Sequence, residues 1–403
     1  MTQALHTNVQ GRAGEVGAAF LKLGLMSFGG PIAHVGYFRR EFVERRRWLD
    51  EAHFGQLLAL CQFLPGPASS QLGFSIGLLR AGWPGALAAF IAFTLPSALL
   101  MFAFGAWSHH LTGALGQGVV HGLKLVAVAV VAQGVLGMAR SLTPDAPRAL
   151  MAVVAAGLIT LSADSAMQLG VVAGGAVLGP WVCRRVTARQ GASFPLTYGP
   201  RIGALLLSTY AVLLVLALTV AMHLPGLWPI AAAFYRTGAL VFGGGHVVLP
   251  LLKQAIVDPG WIDNTTFLTG YGAAQAMPGP MFALSAFLGE HLPDGKGGAT
   301  GAIVSLLAIF LPGLLAVSGC LPFWRALAAR QYAARMLAGV NAMVVGILAA
   351  ALYNPVWVSA VRDSRDFATV LIAFALLVAA RWPAWAMVAW CVAVSMLRVA
   401  FAS

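Results

Sequence analysis

Residues 62–67 read Gln62-Phe63-Leu64-Pro65-Gly66-Pro67, and the motif returns at 275–280 as Gln275-Ala276-Met277-Pro278-Gly279-Pro280. The offset is 213. Upstream, Phe28-Gly29-Gly30 returns as Phe242-Gly243-Gly244 and Trp48-Leu49-Asp50 as Trp261-Ile262-Asp263; downstream, Leu95-Pro96 returns as Leu311-Pro312. Four landmarks in one order at a nearly constant offset mark two homologous halves. The division expected is a first repeat over 1–183, a linker with one extra segment over 184–222 and a second repeat over 223–403.

Composition fixes the class. Charged residues are 9% of the 403 and apolar ones 59%, against about 25% charged in soluble domains. Mean hydropathy is +0.82. This excludes a soluble enzyme, a disordered chain and a coiled coil, and predicts an all-α polytopic membrane protein. The formal charge of +12 is spread over short loops, with no continuous basic face for a nucleic acid. The polar start lacks a signal-peptide core, so the first apolar segment is expected to remain in the membrane.

Thirteen apolar segments are expected, near 18–37, 53–79, 84–107, 117–138, 148–163, 166–183, 202–222, 228–252, 266–290, 298–320, 335–354, 367–380 and 383–399. Six segments and a linker separate equivalent points, and an odd number favours inverted repeats. The Arg-rich loops at 39–47, 184–201 and 325–335 resist this scheme, because simple alternation cannot put all three on one side. Either a broken segment re-enters or the charge bias is overridden.

Gly and Pro interrupt matched segments of both halves, where freed backbone groups must face protein or a watery cavity. Such paired breaks point to a substrate site, and a half-helix starting after a break suits an anion. A packing kink is the alternative. The residues implicated are Gly29, Gly30, Pro65 and Gly66, with Gly243, Gly244, Pro278 and Gly279. Lys22 and Arg236 each lie six residues before a Phe-Gly-Gly motif, where they balance a dianion or snorkel to the interface. Ser27, Ser69, Gln62 and Gln275 offer donors beside the breaks, and interhelical bonding is their other use. His246 follows the second glycine run. Lys124, its counterpart Asn341, and Glu290, a proton-carrier candidate, stand in second rank. Asp50 and Asp263 read as helix N-caps. The four cysteines and the histidines form no metal-ligand set, and no nucleotide or nucleophile motif appears, so neither a cofactor nor an enzymatic activity is expected.

Taken together, Phe20-Leu21-Lys22-Leu23-Gly24, Ser27-Phe28-Gly29-Gly30-Pro31, Gln62 to Pro67 and Gln71-Leu72 resemble the chromate ion transporter family, in its long, two-domain form. Phe242 to His246 and Met277-Pro278-Gly279-Pro280 repeat the pattern, so the resemblance spans the chain. It implies secondary export of chromate across the inner (plasma) membrane, chromate resistance, and sulfate as a competing or exchanging oxyanion. Another oxyanion or an anion channel remains compatible. Gly245 stands where the first half has Pro31, and Met281 and Phe282 where it has Ala68 and Ser69, so unequal halves are expected. Two halves in one chain suffice for a monomer; a homodimer is equally compatible.

Overall fold

The computed structural model describes residues 11–28, 30–108, 110, 113–162, 166–187, 194–221, 224–242, 248–293 and 295–402, and among them there is no strand. The first repeat runs α1 (Ala13–Met26), α2 (Gly30–Arg39, continued by a π-turn, Arg40–Arg45), α3 (Glu51–Phe63), α4 (Ala68–Ser108), α5 (Gly113–Leu142), α6 (Ala146–Leu161) and α7 (Ala166–Val182). Helix α8 (Pro200–Thr219) links it to the second. There follow α9 (Trp228–Leu240), α10 (Val248–Leu252, with a π-turn, Lys253–Val257), α11 (Asn264–Ala274), α12 (Leu284–Glu290), α13 (Gly298–Cys320) and α14 (Trp324–Ala328). The chain ends with α15 (Gln331–Ala351), α16 (Val358–Ala360), α17 (Ser364–Val378) and α18 (Ala384–Ala402). The fold is an all-helical, multi-pass membrane protein of two matched halves.

The thirteen expected segments are redistributed by the breaks. Segments 18–37, 53–79, 228–252 and 266–290 are each divided into two helices. The second piece of 53–79 joins 84–107 to make the 41-residue α4, bent at Ala81 and Gly82 where φ/ψ leave the helical region. Among the described residues, six helices are long and apolar enough to cross a membrane, by length and composition. Helices α1, α3, α9 and α11 stop within a few residues of the Gly and Pro breaks, which do not favour a helix interior. The two Trp-linked aspartates are N-caps as expected: Asp50 accepts from His53 N at 2.8 Å, and Asp263 from Thr265 N and Thr266 N at 2.8 and 3.0 Å.

The ends of the short first-repeat helices meet. Glu15, opening α1, lies 4.0 Å from Arg46 beyond α2 and 3.4 Å from Arg80. Arg80 also covers the Trp48 ring at 5.1 Å. The pairs α1–α2 and 51–63 with 68–80 therefore start and finish at the same end, as two helical hairpins. This resolves the loop-charge conflict. The His53 and Phe194 rings are 6.2 Å apart, Gln56 accepts from Trp324 Nε1 at 3.0 Å, and Arg335 donates to Arg184 O at 3.0 Å. All three Arg-rich loops gather at one end of the bundle. The helical stretch 83–108, about 39 Å at 1.5 Å per residue, carries the chain to the other end. There Ser108 meets His291 at 3.0 Å.

The halves are interlocked. Helix α5 packs on α17 and α18 of the second repeat, and its counterpart α15 packs on α6 and α7 of the first. Small residues permit both crossings. A Cβ on Gly122 would come 2.6 Å from Val392 Cα; 217 residues on, one on Gly339 would overlap Gly175 O. Gly122→Val should destabilise the protein by about 1–3 kcal/mol through overpacking. Gly137, with nothing within 4 Å of an added Cβ, should accept Val with little effect. Thermal unfolding in detergent, followed by size exclusion, compares the two.

At α6, the Arg148 guanidinium holds the N-cap Asp145 carboxyl below the usual range; the two side chains are 2.7 Å apart. A depressed folded value means that the contribution is present above the unfolded value, about 3.9, and is lost as pH falls through the folded one. Asp145→Asn keeps the cap but loses the Arg148 ion pair, so it should cost up to about 1 kcal/mol at neutral pH, and the difference from wild type should shrink toward pH 3 in the same unfolding assay.

Candidate oxyanion site at the crossing of the two breaks

Two backbone hydrogen bonds tie the tips of the breaks together across the repeats. Gly66 N, in the first Pro-Gly-Pro, donates to Val241 O at 2.7 Å; Gly279 N, in the second, donates to Ser27 O at 2.9 Å. Val241 and Ser27 are repeat counterparts, each just before a Phe-Gly pair. Each half's Pro-Gly-Pro thus caps the other half's first break. The glycines are required here. Gly66 has φ +119° and Gly279 φ +91°, conformations that side chains rarely adopt. A Cβ on Gly66 would come 2.8 Å from Gly313 Cα, and one on Gly279 would come 2.8 Å from Ser97 Oγ. Gly313 and Ser97 are themselves repeat counterparts, each one residue after the matched Leu-Pro.

The backbone is symmetric about this crossing and the side chains are not. On the first-repeat side, Ser27, His34, Ser70, Gln71 and Thr94 are all buried. His34 Nε2 bonds Ser27 O at 3.1 Å, and its ring lies edge-on to Phe93 at 5.3 Å. Gln71 Nε2 donates to Pro65 O at 2.8 Å and to Gly313 O at 3.0 Å. Ser27 Oγ, Ser70 Oγ and Thr94 Oγ1 have no hydrogen-bond partner among the described residues. The second-repeat counterparts of this set are Val241, Val248, Ala283, Leu284 and Phe310, all buried and apolar. Buried hydroxyls without partners are costly, and on this side of the crossing they leave three groups free to bond a polar guest. The N-terminus of α4, with Ala68, Ser69 and Ser70 directly after Pro67, adds a positive dipole end and free N–H groups.

The other expected residues are placed unevenly. Ser69, Gly66, Pro278, Gly279 and Gln275 are buried near the tips. Gln275 Nε2 donates to Met281 Sδ at 3.2 Å, whereas its counterpart Gln62 is exposed; the matched glutamines do not form a matched pair. Lys22 is exposed on the α1 face that carries Leu21, Leu25 and Met26, and its charge acts on Glu41. That face points away from the Phe20 and Leu23 core, which is the snorkelling geometry. Arg236 is half-buried between Tyr235 and Thr237 on α9. Gly30 begins α2 with φ +73°. Gly29, Gly243, Gly244 and His246 lie outside the described residues. Glu290 contacts His291 Nδ1 at 2.8 Å near the bundle end, and Asn341 is buried on α15. Neither is drawn to the crossing by any of the contacts above.

Sequence reasoning passed over Thr94, Ser97 and Gly313, although the matched Leu-Pro flags that stretch. It also passed over a matched ion pair: Arg39–Glu44 at 2.5 Å and Lys253–Asp258 at 2.6 Å, each spanning a π-turn and related at offset 214. Beside the second pair opens a cavity of about 440 Å³, lined by Ser162, Gln168, Pro250, Lys253 and Asn354 among others. The cavity lies where α6 ends and α7 begins, beside the end of α15, at the end opposite the Arg-rich loops.

The sequence profile described as "Chromate transporter" matches residues 14–180 and again 228–396. The chain belongs to the chromate transporter family. It is 29% identical over 344 residues to a probable chromate transport protein of Synechococcus elongatus, covering 83% of this chain and 82% of the relative. It is 28% identical to the chromate transport protein of Cupriavidus metallidurans, covering 88% and 84%, and 29% identical to that of Pseudomonas aeruginosa, covering 86% and 81%. No solved structure matches. Membership of a family of transporters with bacterial relatives, together with the apolar helices, makes this a multi-pass protein of the plasma membrane.

Gly66→Ala and Gly279→Ala should each destabilise this chromate transporter family member by about 1–3 kcal/mol, from positive φ and close backbone contact together. Gly30→Ala, with positive φ but nothing within 4 Å, should cost less. Detergent unfolding midpoints rank the three.

Proposed function

We propose that this chain exports chromate, and dianionic oxyanions of its shape, from the cytoplasm through the crossing of the two breaks. The observation that carries the reading is the one-sided set of buried hydroxyls at Ser27, Ser70 and Thr94 beside the α4 N-terminus. Hydroxyls and free N–H groups can replace the hydration of an oxyanion without a fixed, permanently paired charge. The family and the names of its relatives supply chromate as the first substrate to try.

The helical hairpins of the first repeat start and finish at the Arg-rich end. Those of the second belong with Ser108, His291 and the 440 Å³ cavity at the other. This supports inverted repeats, with the Arg-rich end in the cytoplasm by the positive-inside rule. An inverted pair offers two related half-paths to one central point, which is the architecture of alternating access. One chain supplies both halves, so the monomer is the functional unit in this reading. Energetics favour exit. One charge moved through 100 mV is worth about 2.3 kcal/mol, so a dianion leaving a negative interior gains about 4.6 kcal/mol per 100 mV. Neither ATP nor a cofactor is needed.

Purified protein in liposomes loaded with chromate tests the reading. Efflux should accelerate when the interior is made negative and should slow with excess internal sulfate. Ser70→Ala should raise the half-saturating chromate concentration about tenfold, the loss of one charge-assisted hydrogen bond of about 1.4 kcal/mol. Chromate efflux equal to that of empty liposomes would overturn the substrate. Inhibition and flux by sulfate alone would reassign it to that anion. Unitary conductance in planar bilayers would make it a channel.

A further inference from the structure

At the end of the bundle opposite the Arg-rich loops, Lys124 on α5 is only 5% exposed. Its Nζ donates to Thr265 Oγ1 at 3.0 Å, and among the described residues no carboxylate lies within ion-pair distance of it. A buried cation without a partner is strongly unfavourable. The nearby carboxylates are committed elsewhere. Asp263 accepts from Thr265 N, Thr266 N and Thr266 Oγ1 as the cap of α11. Asp366 accepts from His121 Nε2 at 2.9 Å, from Arg398 and from Arg362 N. Asp363 accepts from Asp366 N and from Arg398 at 2.6 Å.

A second cation is brought to the same part of α5: Arg362 N donates to Asp366 Oδ2 at 3.0 Å, and Asp366 accepts from His121, three residues before Lys124 on α5. Arg362 is exposed, and its guanidinium makes no ion pair among the described residues. The charged groups that the contacts above bring to this place are Lys124, Arg362 and Arg398 against Asp263, Asp363 and Asp366, with His121 beside them. Arg398 is paired with Asp363 and Asp366, and Asp263 caps α11, so neither the Lys124 ammonium nor the Arg362 guanidinium has a carboxylate of its own. Two cations at one place, with every carboxylate turned to other donors, form a site that an anion completes. Lys124 has two ammonium protons to spare, Arg362 presents a planar donor fork, and the Thr265 hydroxyl proton is free to donate.

We propose that Lys124, Arg362 and Thr265 form a second binding station for a small divalent oxyanion, at the end of the bundle away from the Arg-rich loops. It is separate from the crossing. It is also confined to one end: the repeat counterparts are Asn341 for Lys124, Pro144 for Arg362 and Ala52 for Thr265, so no second copy is formed. If the Arg-rich end is cytoplasmic, the station lies on the exit side and receives the ion that leaves the crossing. That placement rests on the transport reading; binding at the station does not.

Equilibrium binding of radiolabelled sodium sulfate, with sodium chromate as competitor, to the purified full chain in detergent tests it. Wild type should show two classes of site. Lys124→Met should remove one class, or weaken it at least tenfold, and Arg362→Gln should weaken the same class about tenfold. Ser70→Ala should affect only the other. Arg362 is exposed, so its variant keeps the test decisive if Lys124→Met does not fold. Sulfate binding by Lys124→Met or Arg362→Gln identical to wild type, with Ser70→Ala still impaired, would overturn the station and leave the crossing standing. Binding lost in Ser70→Ala alone would overturn the station in the same way. No saturable binding of either anion by wild type would overturn both.

Discussion

Two glycine N–H groups hold this molecule's centre. Gly66 and Gly279 each donate across the repeat boundary to the last carbonyl before the other half's break. A peptide group freed inside a membrane must find a partner, and here each half solves the other's problem. Everything near the crossing follows from that exchange. It needs positive φ, hence glycine. It needs close backbone approach, hence Gly313 and Ser97 opposite. It needs proline on either side, to stop both helices at the same depth. The exchange also commits the two halves to one another, a commitment repeated at the periphery where α5 and α15 trade their partners.

On this symmetric frame the chemistry is asymmetric. The first repeat furnishes the hydroxyls and the second furnishes Val241, Ala283 and Phe310 at the same positions. A dianion between two equivalent polar walls would be held from both sides, and tight holding slows release. One polar wall and one apolar wall allow the ion to be desolvated on one side only. The second repeat has the same backbone geometry with apolar side chains in place of the donors.

The two-repeat architecture was legible because Pro-Gly-Pro, Phe-Gly-Gly, Trp-(Leu/Ile)-Asp and Leu-Pro constrain backbone, and backbone constraints survive divergence. The caps at Asp50 and Asp263 were legible for the same reason. Lys22 and Gln62 show the limit. A repeat offset reports which backbone positions correspond, and says nothing about which way a side chain turns. Lys22 sits on the outer face of α1 and Gln62 on the exposed side of α3, while Thr94, one residue before the matched Leu-Pro, sits inside. The loop-charge conflict had the same origin: counting apolar segments assumed that each one crosses, and the meeting of Glu15, Arg46 and Arg80 at one end required that α1 and α2 turn back. The Lys253–Asp258 pair was visible at offset 214 to Arg39–Glu44, but its meaning depended on a π-turn that no sequence pattern announces.

The central claim is that the oxyanion touches the first repeat's wall of the crossing and not the second's. Single cysteines at Ser70 and at its counterpart Ala283, in a chain whose four native cysteines are replaced by alanine, test this directly. The rate of modification by a small thiol reagent is measured with and without chromate in membranes. Chromate should slow modification at position 70 severalfold and leave position 283 unaffected. Equal protection at both positions, or none at position 70 while transport persists, would contradict the account.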